Sequence, residues 1–153
     1  MMNAQKLTQK SLEAVQAAQN LAIERQNQQV EQEHLLAALL MQEGGLVPQL
    51  LKKMNIDPGM VLSSAMQLVN KLPGVSGSGR EADKIYISQD TDRALTEAER
   101  AADRMKDEYI SVEHLFLGLV EKPSRQLQEV FRSFGLKITE FQEPAQQVRG
   151  NTG

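Results

Sequence analysis

Cysteine is absent from the 153 residues, and only two histidines are present. Without thiols the chain has no disulfide, no thiolate nucleophile and no cysteine-built zinc site, which fits a reducing, cytoplasmic setting. Aromatic residues make up only 4%. Runs of β-branched residues and apolar–polar alternation are nearly missing, so strands are not expected. No stretch approaches the length of a membrane span, and the opening MMNAQKLTQKSLEAV lacks the apolar core of a signal peptide. The formal charge is −3 with no long basic run, which argues against nucleic acid as a partner. There is no nucleophile elbow and no HExxH. The one glycine-rich piece, GVSGSG from Gly74, has neither the glycine spacing of a dinucleotide loop nor the Lys-Ser/Thr of a P-loop. No catalytic residue, no metal site and no cofactor of the chain itself is expected.

What remains is helical. The apolar content of 41% supports a core, and a chain of this length buries about 70% of its unfolded surface. Leu12, Val15, Ala18 and Ala22 recur at helical spacing after Thr8, a good N-cap, with Leu7 and Leu12 at its staple positions. Leu35, Leu36, Leu39 and Leu40 mark a short second helix that ends at QEGG, Gln42 to Gly45. Val47, Leu50, Leu51 and Met54 mark a third. Asp57-Pro58 reads as N-cap and N1 of a fourth, carrying Val61, Leu62, Ala65, Leu68 and Val69. The Pro/Gly/Ser-rich stretch 72–88 then interrupts the periodicity and reads as a linker, with fast amide exchange expected over 75–83.

Beyond it the pattern repeats. Laying residue n on n+80 aligns the halves without a gap from Thr8 to Ile56. Thr8 falls on Ser88, Ala14 on Ala94, Ala18 on Ala98, Ala22 on Ala102, Val30 on Ile110 and Leu39 on Leu119. Both histidines fall in the same tripeptide, Glu33-His34-Leu35 and Glu113-His114-Leu115. Caps, core and polar positions matching in one register signal an internal duplication. The expected fold is all-α: an eight-helix bundle of two four-helix repeats related by a pseudo-two-fold axis, forming a single domain over 1–153. Repeat 1 runs over 7–72, the linker over 73–87 and repeat 2 over 88–150. Ser111 caps the sixth helix, with Glu113 at N2 and His114 at N3, so both acids suit the positive helix end and both histidines read as partly buried. Pro144 falls where the last helix is expected, after a possible cap at Thr139, and should delay or kink it.

The stretches KLTQKSLEAVQAAQNLA (from Lys6), VEQEHLLAALLMQEGG (from Val30), LPGVSGSG (from Leu72) and YISVEHLFLGLVE (from Tyr109) together resemble the N-terminal domain of Clp AAA+ chaperones, closest to the ClpB branch. The resemblance covers Leu7 to about Gly150. It implies the N-terminal substrate-recognition module of a ring-forming, hexameric disaggregase that uses ATP and Mg and works with the DnaK system. Such a module binds unfolded or aggregated polypeptide and hands it to the ATPase ring. The chain carries no Walker motif, so no ATPase activity is expected of it, and no heptad seam, so it is expected to be a monomer.

Carried over position by position, the resemblance makes Thr8, Leu95, Asp107, Tyr109 and Glu113 the candidate substrate-peptide residues. Glu97 and His114 depart from the leucine-like groove residues of ClpB relatives and place its apolar character in question. The alternative, an adaptor- or phosphoarginine-binding module as in the ClpC branch, would use Thr8, Glu33, Ser88 and Glu113, two acids and two helix N-termini. Each residue also has a purely structural reading: Thr8 as a cap, Asp107 as a turn residue, Glu113 as a helix-dipole acid and Tyr109 as core.

Overall fold

The computed structural model describes residues 2–75 and 85–136. A 3-10 turn at Ala4–Lys6 leads into α1 (Gln9–Glu24). Strand β1 (Gln29–Val30) precedes α2 (Gln32–Met41), α3 (Leu46–Lys53) and α4 (Pro58–Lys71). Strand β2 (Tyr86–Ile87) then opens the second series, α5 (Gln89–Arg104), α6 (Val112–Glu121) and α7 (Arg125–Ser133). Adding 80 to the limits of α1 and α2 gives those of α5 and α6, and α3 maps onto α7 to within one residue at its start. The eighth helix, with Pro144 and Thr139, lies outside the described residues.

The caps explain where the helices start. Thr8 Oγ1 accepts from Ser11 N at 3.1 Å, Ser88 Oγ from Thr91 N at 3.2 Å and Ser124 Oγ from Leu127 N at 3.2 Å. Asp57 accepts from Gly59 N at 2.9 Å, with Pro58 in the first turn. The helix ends repeat as well. Gln26 and Lys106 take left-handed φ values of 57° and 59° after α1 and α5. Asn55 and Gly135 do the same after α3 and α7, at 61° and 68°. The following amides fold back, Asn27 N to Ala22 O and Asp107 N to Ala102 O, as helix C-caps require.

The halves interlock through two short parallel strand pairings that the sequence pattern does not announce. β1 pairs with β2 through Gln29–Tyr86 and Val30–Ile87, and Leu7 bridges Ile110 in the same sense. Thr8 N donates to Ile110 O and Ser88 N to Val30 O, both at 3.1 Å. The capping residue of each repeat's first helix is therefore pinned to the other repeat. Both ends of the expected linker are also tied: Val75 N donates to Gln26 O at 2.7 Å, and Tyr86–Ile87 belong to β2. Residues 76–84 of that linker lie outside the described residues.

α2 and α6 form the centre. Every residue of Gln32–Leu40 and of Val112–Leu119 is buried, which suits helices apolar on nearly all faces. Phe116 and Phe131 meet edge-on at 6.1 Å between ring centres. Leu12, expected on the apolar face of α1, is 36% exposed; Ala14, Ala18 and Ala22 are buried there, with Val15 and Leu21 partly buried against the core.

Candidate functional site

The two histidines are not partly buried but fully enclosed, 0% exposed for His34 and 1% for His114. Each sits at N3 of its helix and reaches back to the capping residue. Glu31 N donates to His34 Nδ1, and Ser111 N to His114 Nδ1, both at 2.8 Å. A ring nitrogen that accepts an amide proton carries none, so the neutral ring holds its proton on Nε2. That nitrogen lies 2.8 Å from Asn27 Oδ1 in repeat 1 and 2.8 Å from Asp107 Oδ2 in repeat 2. Each histidine thus ties the start of one helix to the turn after the preceding one, the task of a capping-box glutamine with a second bond added. Among the described residues no cluster of acids and histidines is arranged to hold a metal ion.

The candidate residues fall into distinct settings. Thr8 and the segment Tyr109–Glu113 meet at the Leu7–Ile110 junction, although they come from opposite ends of the chain. Tyr109 is 53% exposed and not core. Asp107 already receives His114, and Glu113 is 6% exposed at N2. Leu95 is 3% exposed; with Val15, Ala18, Val30, Leu35 and Ile87 it lines a small apolar space, which places it under the Val30–Ile87 junction and not among the residues at Leu7–Ile110. Ser88 and Glu33 meet at the symmetry-related junction. They line an open cleft of about 500 Å³ together with Gln29, Glu31, Asp90 and Ser124. Both cap hydroxyls are committed: Thr8 Oγ1 donates to Ser11 Oγ at 3.0 Å and Ser88 Oγ to Thr91 Oγ1 at 2.9 Å.

Glu97 does not put charge into a groove. Its side chain is 5% exposed and lies under Arg104, 3.0 Å away, which also reaches Glu121 at 3.3 Å. Burial acts to raise Glu97, yet hydrogen bonds from Glu121 and Arg104 bring it below the usual carboxylate range. Burial and the bond to Glu97 push Glu121 up, so of the two acids Glu121 keeps its proton longer as pH rises.

Gln32 was invisible as a functional residue in the sequence, because a single glutamine between two acids gives no periodic signal. It is 1% exposed and donates to Asp90 O and Lys122 O, each at 2.8 Å, while accepting from Ser124 N at 2.8 Å. One side chain of repeat 1 therefore holds two segments of repeat 2 beside the cleft. Its counterpart in repeat 2 is Val112, which makes no such bonds. Gln32→Ala should cost about 2 kcal/mol in urea unfolding, since it strands two carbonyls and an amide around a new cavity. An unchanged midpoint would show that water replaces the amide at no cost.

The family model described as the Clp repeat (R) N-terminal domain matches residues 6–134. The ClpB chaperone of Clostridium tetani is 35% identical over 150 residues, covering 98% of this chain and 17% of that protein. ClpB of Nitratidesulfovibrio vulgaris is 37% identical over 151 residues, again 98% of this chain and 18% of the relative. The chain thus spans less than a fifth of the length of either relative. Among solved structures, the Hsp104 N-terminal domain from Candida albicans superposes with a TM-score of 0.81 at 23% identity, over 95% of this chain and 92% of that one. A ClpV N-domain solved in complex with a VipB peptide gives 0.62 at 24% identity, over 85% and 79%. The duplicated, interlocked helical repeats and these matches agree, and the chain belongs to the Clp repeat N-terminal domain family.

Proposed function

We propose that the chain is the N-terminal substrate-recognition module of a ClpB-type, ATP-dependent protein disaggregase. In this reading it binds unfolded or aggregated polypeptide in the cytoplasm and delivers it to a hexameric ATPase ring that works with the DnaK system. Repeats over 7–72 and 88–150 joined by a linker over 73–87 make up the module. The observation that carries the reading is the Leu7–Ile110 junction, which brings Thr8 beside Tyr109 and Glu113. Tyr109 offers an open aromatic face and Glu113 an acceptor at a helix start; Asp107 fixes His114 at that start, and Leu95 packs beneath the related Val30–Ile87 junction. Binding is weak, because a shallow surface recovers little beyond the cost of ordering a peptide. The ClpV N-domain solved with a VipB peptide supports this reading.

The phosphoarginine reading is supported by Glu33 and Ser88 sharing one cleft. Its charge speaks against it: Glu31, Glu33 and Asp90 line that cleft, and among the described residues no basic side chain lines it, so a phosphoryl group meets like charge there.

Titration with an unstructured aromatic peptide free of lysine and arginine, followed by amide NMR, separates these readings. Shifts are expected at Thr8 and 109–113. Tyr109→Ala should weaken binding roughly 5-fold, about 1 kcal/mol. Glu113→Ala should weaken it more than Glu33→Ala does. Equal loss from the two acids would favour two symmetric sites. No loss from any of the three variants would return Glu113 to its helix-dipole role.

A further inference from the structure

Residues 2–6, ahead of α1, lie against the other repeat and contribute little to the core. Their 3-10 turn buries no residue, and Asn3 closes it by accepting from Gln5 N at 3.0 Å. Two ties hold the segment to α5, and both end on Glu99 Oε2: Asn3 N donates to it at 3.3 Å, and Lys6 Nζ stands 3.8 Å from it. A long hydrogen bond and an exposed ion pair are weak. Of the segment's apolar residues only Met2 packs against the core, and it is only partly buried. A segment held by so little opens locally far more readily than the helices it borders. It ends at the proposed peptide surface. Ile110 N donates to Lys6 O at 2.8 Å and Leu7 bridges Ile110, so Lys6 stands beside Tyr109 in the parallel register. The offset of 80 shows what lies beneath. Under the Val30–Ile87 junction, Val15, Gln19, Val30, Leu35 and Ile87 line the small apolar space. The matching residues under the Leu7–Ile110 junction are Leu95, Glu99, Ile110, Leu115 and Leu7. Asn3 is tied to Glu99, the counterpart of Gln19, and so brings Met2 to the matching apolar place.

We infer that residues 2–6 form an autoinhibitory strap: they lie in the place of a substrate peptide at the Leu7–Ile110 junction, with Glu99 as the latch and Met2 standing in for an apolar side chain of the ligand. The inference rests on the proposed peptide surface at Tyr109 and adds its regulation. An incoming apolar segment displaces the strap, so apparent affinity scales with the fraction of chains whose strap is open. Glu99 suits a reversible latch. It is only partly buried, and it holds a main-chain N–H and an ammonium that water satisfies on opening, so release strands no buried polar group. Gln19, its counterpart in repeat 1, has no charge to offer an ammonium, so this latch belongs to the Tyr109 side.

The test compares wild type, Glu99→Ala and a deletion of residues 2–5. Each is titrated with the aromatic peptide free of lysine and arginine and followed by amide NMR, with the unshifted amides of α2 and α6 as the check on folding. In the unbound wild type the heteronuclear NOE of amides 3–6 should match that of the helices, and it should fall as peptide saturates the chain. Glu99→Ala and the deletion are each expected to bind about 5-fold more tightly, with shifts at Thr8 and 109–113 as in wild type. Binding seen only in the two released variants would support the strap as well. Wild-type binding at Thr8 and 109–113 with no gain in either variant, or with a loss in both, would overturn the strap and leave the peptide surface standing. No binding by any of the three chains would overturn the peptide surface and the strap together.

Discussion

Replacing Gly118 by alanine is expected to destabilise the chain by about 3 kcal/mol, the upper end for an overpacked core. Gly118 lies in α6 where α5 crosses it. A Cβ there would stand 2.2 Å from Ala94 O and 3.1 Å from Ala98 N, both backbone atoms. No rotamer relieves such a contact, so α5 must move away from α6 along the most extensive helix pairing of the second repeat. The gain in helix propensity, about 1 kcal/mol, only partly offsets this. Repeat 1 has Ala38 at the matching position, where a Cβ is already accommodated, so the restriction belongs to repeat 2. Urea unfolding of Gly118→Ala beside Ala38→Gly separates the two sites: the first should lose much more than the second. A loss below about 1 kcal/mol for Gly118→Ala would mean that the crossing adjusts freely.

Acidification should cost a similar amount through one ring. Burial lowers His34 from 6.5 to about 4. The unfolded chain takes up the proton first, so this contribution to stability is complete above pH 6.5 and is lost as pH falls towards 4. The loss amounts to about 3 kcal/mol. Glu33, whose carboxyl is raised, works in the opposite direction as pH falls. The comparison with His34→Gln isolates the ring, because glutamine at N3 can still accept the capping N–H and does not titrate. The difference between wild type and His34→Gln should shrink steadily from pH 7 to pH 4. Parallel curves would show that His34 titrates as an exposed histidine.

Much of this fold is written in the spacing of its residues. Thr8, Asp57-Pro58 and the alanine stripe of α1 announce helices because capping and the helical period act locally. The duplication is legible since caps and core repeat at one offset. The parallel pairings of Leu7 with Ile110 and of Val30 with Ile87 are not, because two-residue strands leave no alternation to detect. The histidines show the same limit. Their place at N3 follows from the sequence, but their partners Asn27 and Asp107 lie beyond a left-handed turn whose geometry only the folded chain reveals. Glu97 reads as a charge intruding on a groove, and only the reach of Arg104 shows that it is covered. The acidity of the Glu33 cleft is hidden for a further reason: Glu31 and Asp90 belong to different repeats and meet only across the pseudo-two-fold junction.

We propose that this chain recognises unfolded polypeptide at the junction of its repeats. Photo-crosslinking tests it most directly. Reduced, carboxymethylated α-lactalbumin carrying a photoactivatable group would be illuminated with the chain, and the attached sites mapped by mass spectrometry. Crosslinks are expected at Thr8, Tyr109 and neighbouring residues of the two junctions, and native α-lactalbumin labelled in the same way should give few. Equal labelling by the native protein, or crosslinks spread over α3 and α4 and missing from both junctions, would contradict the account.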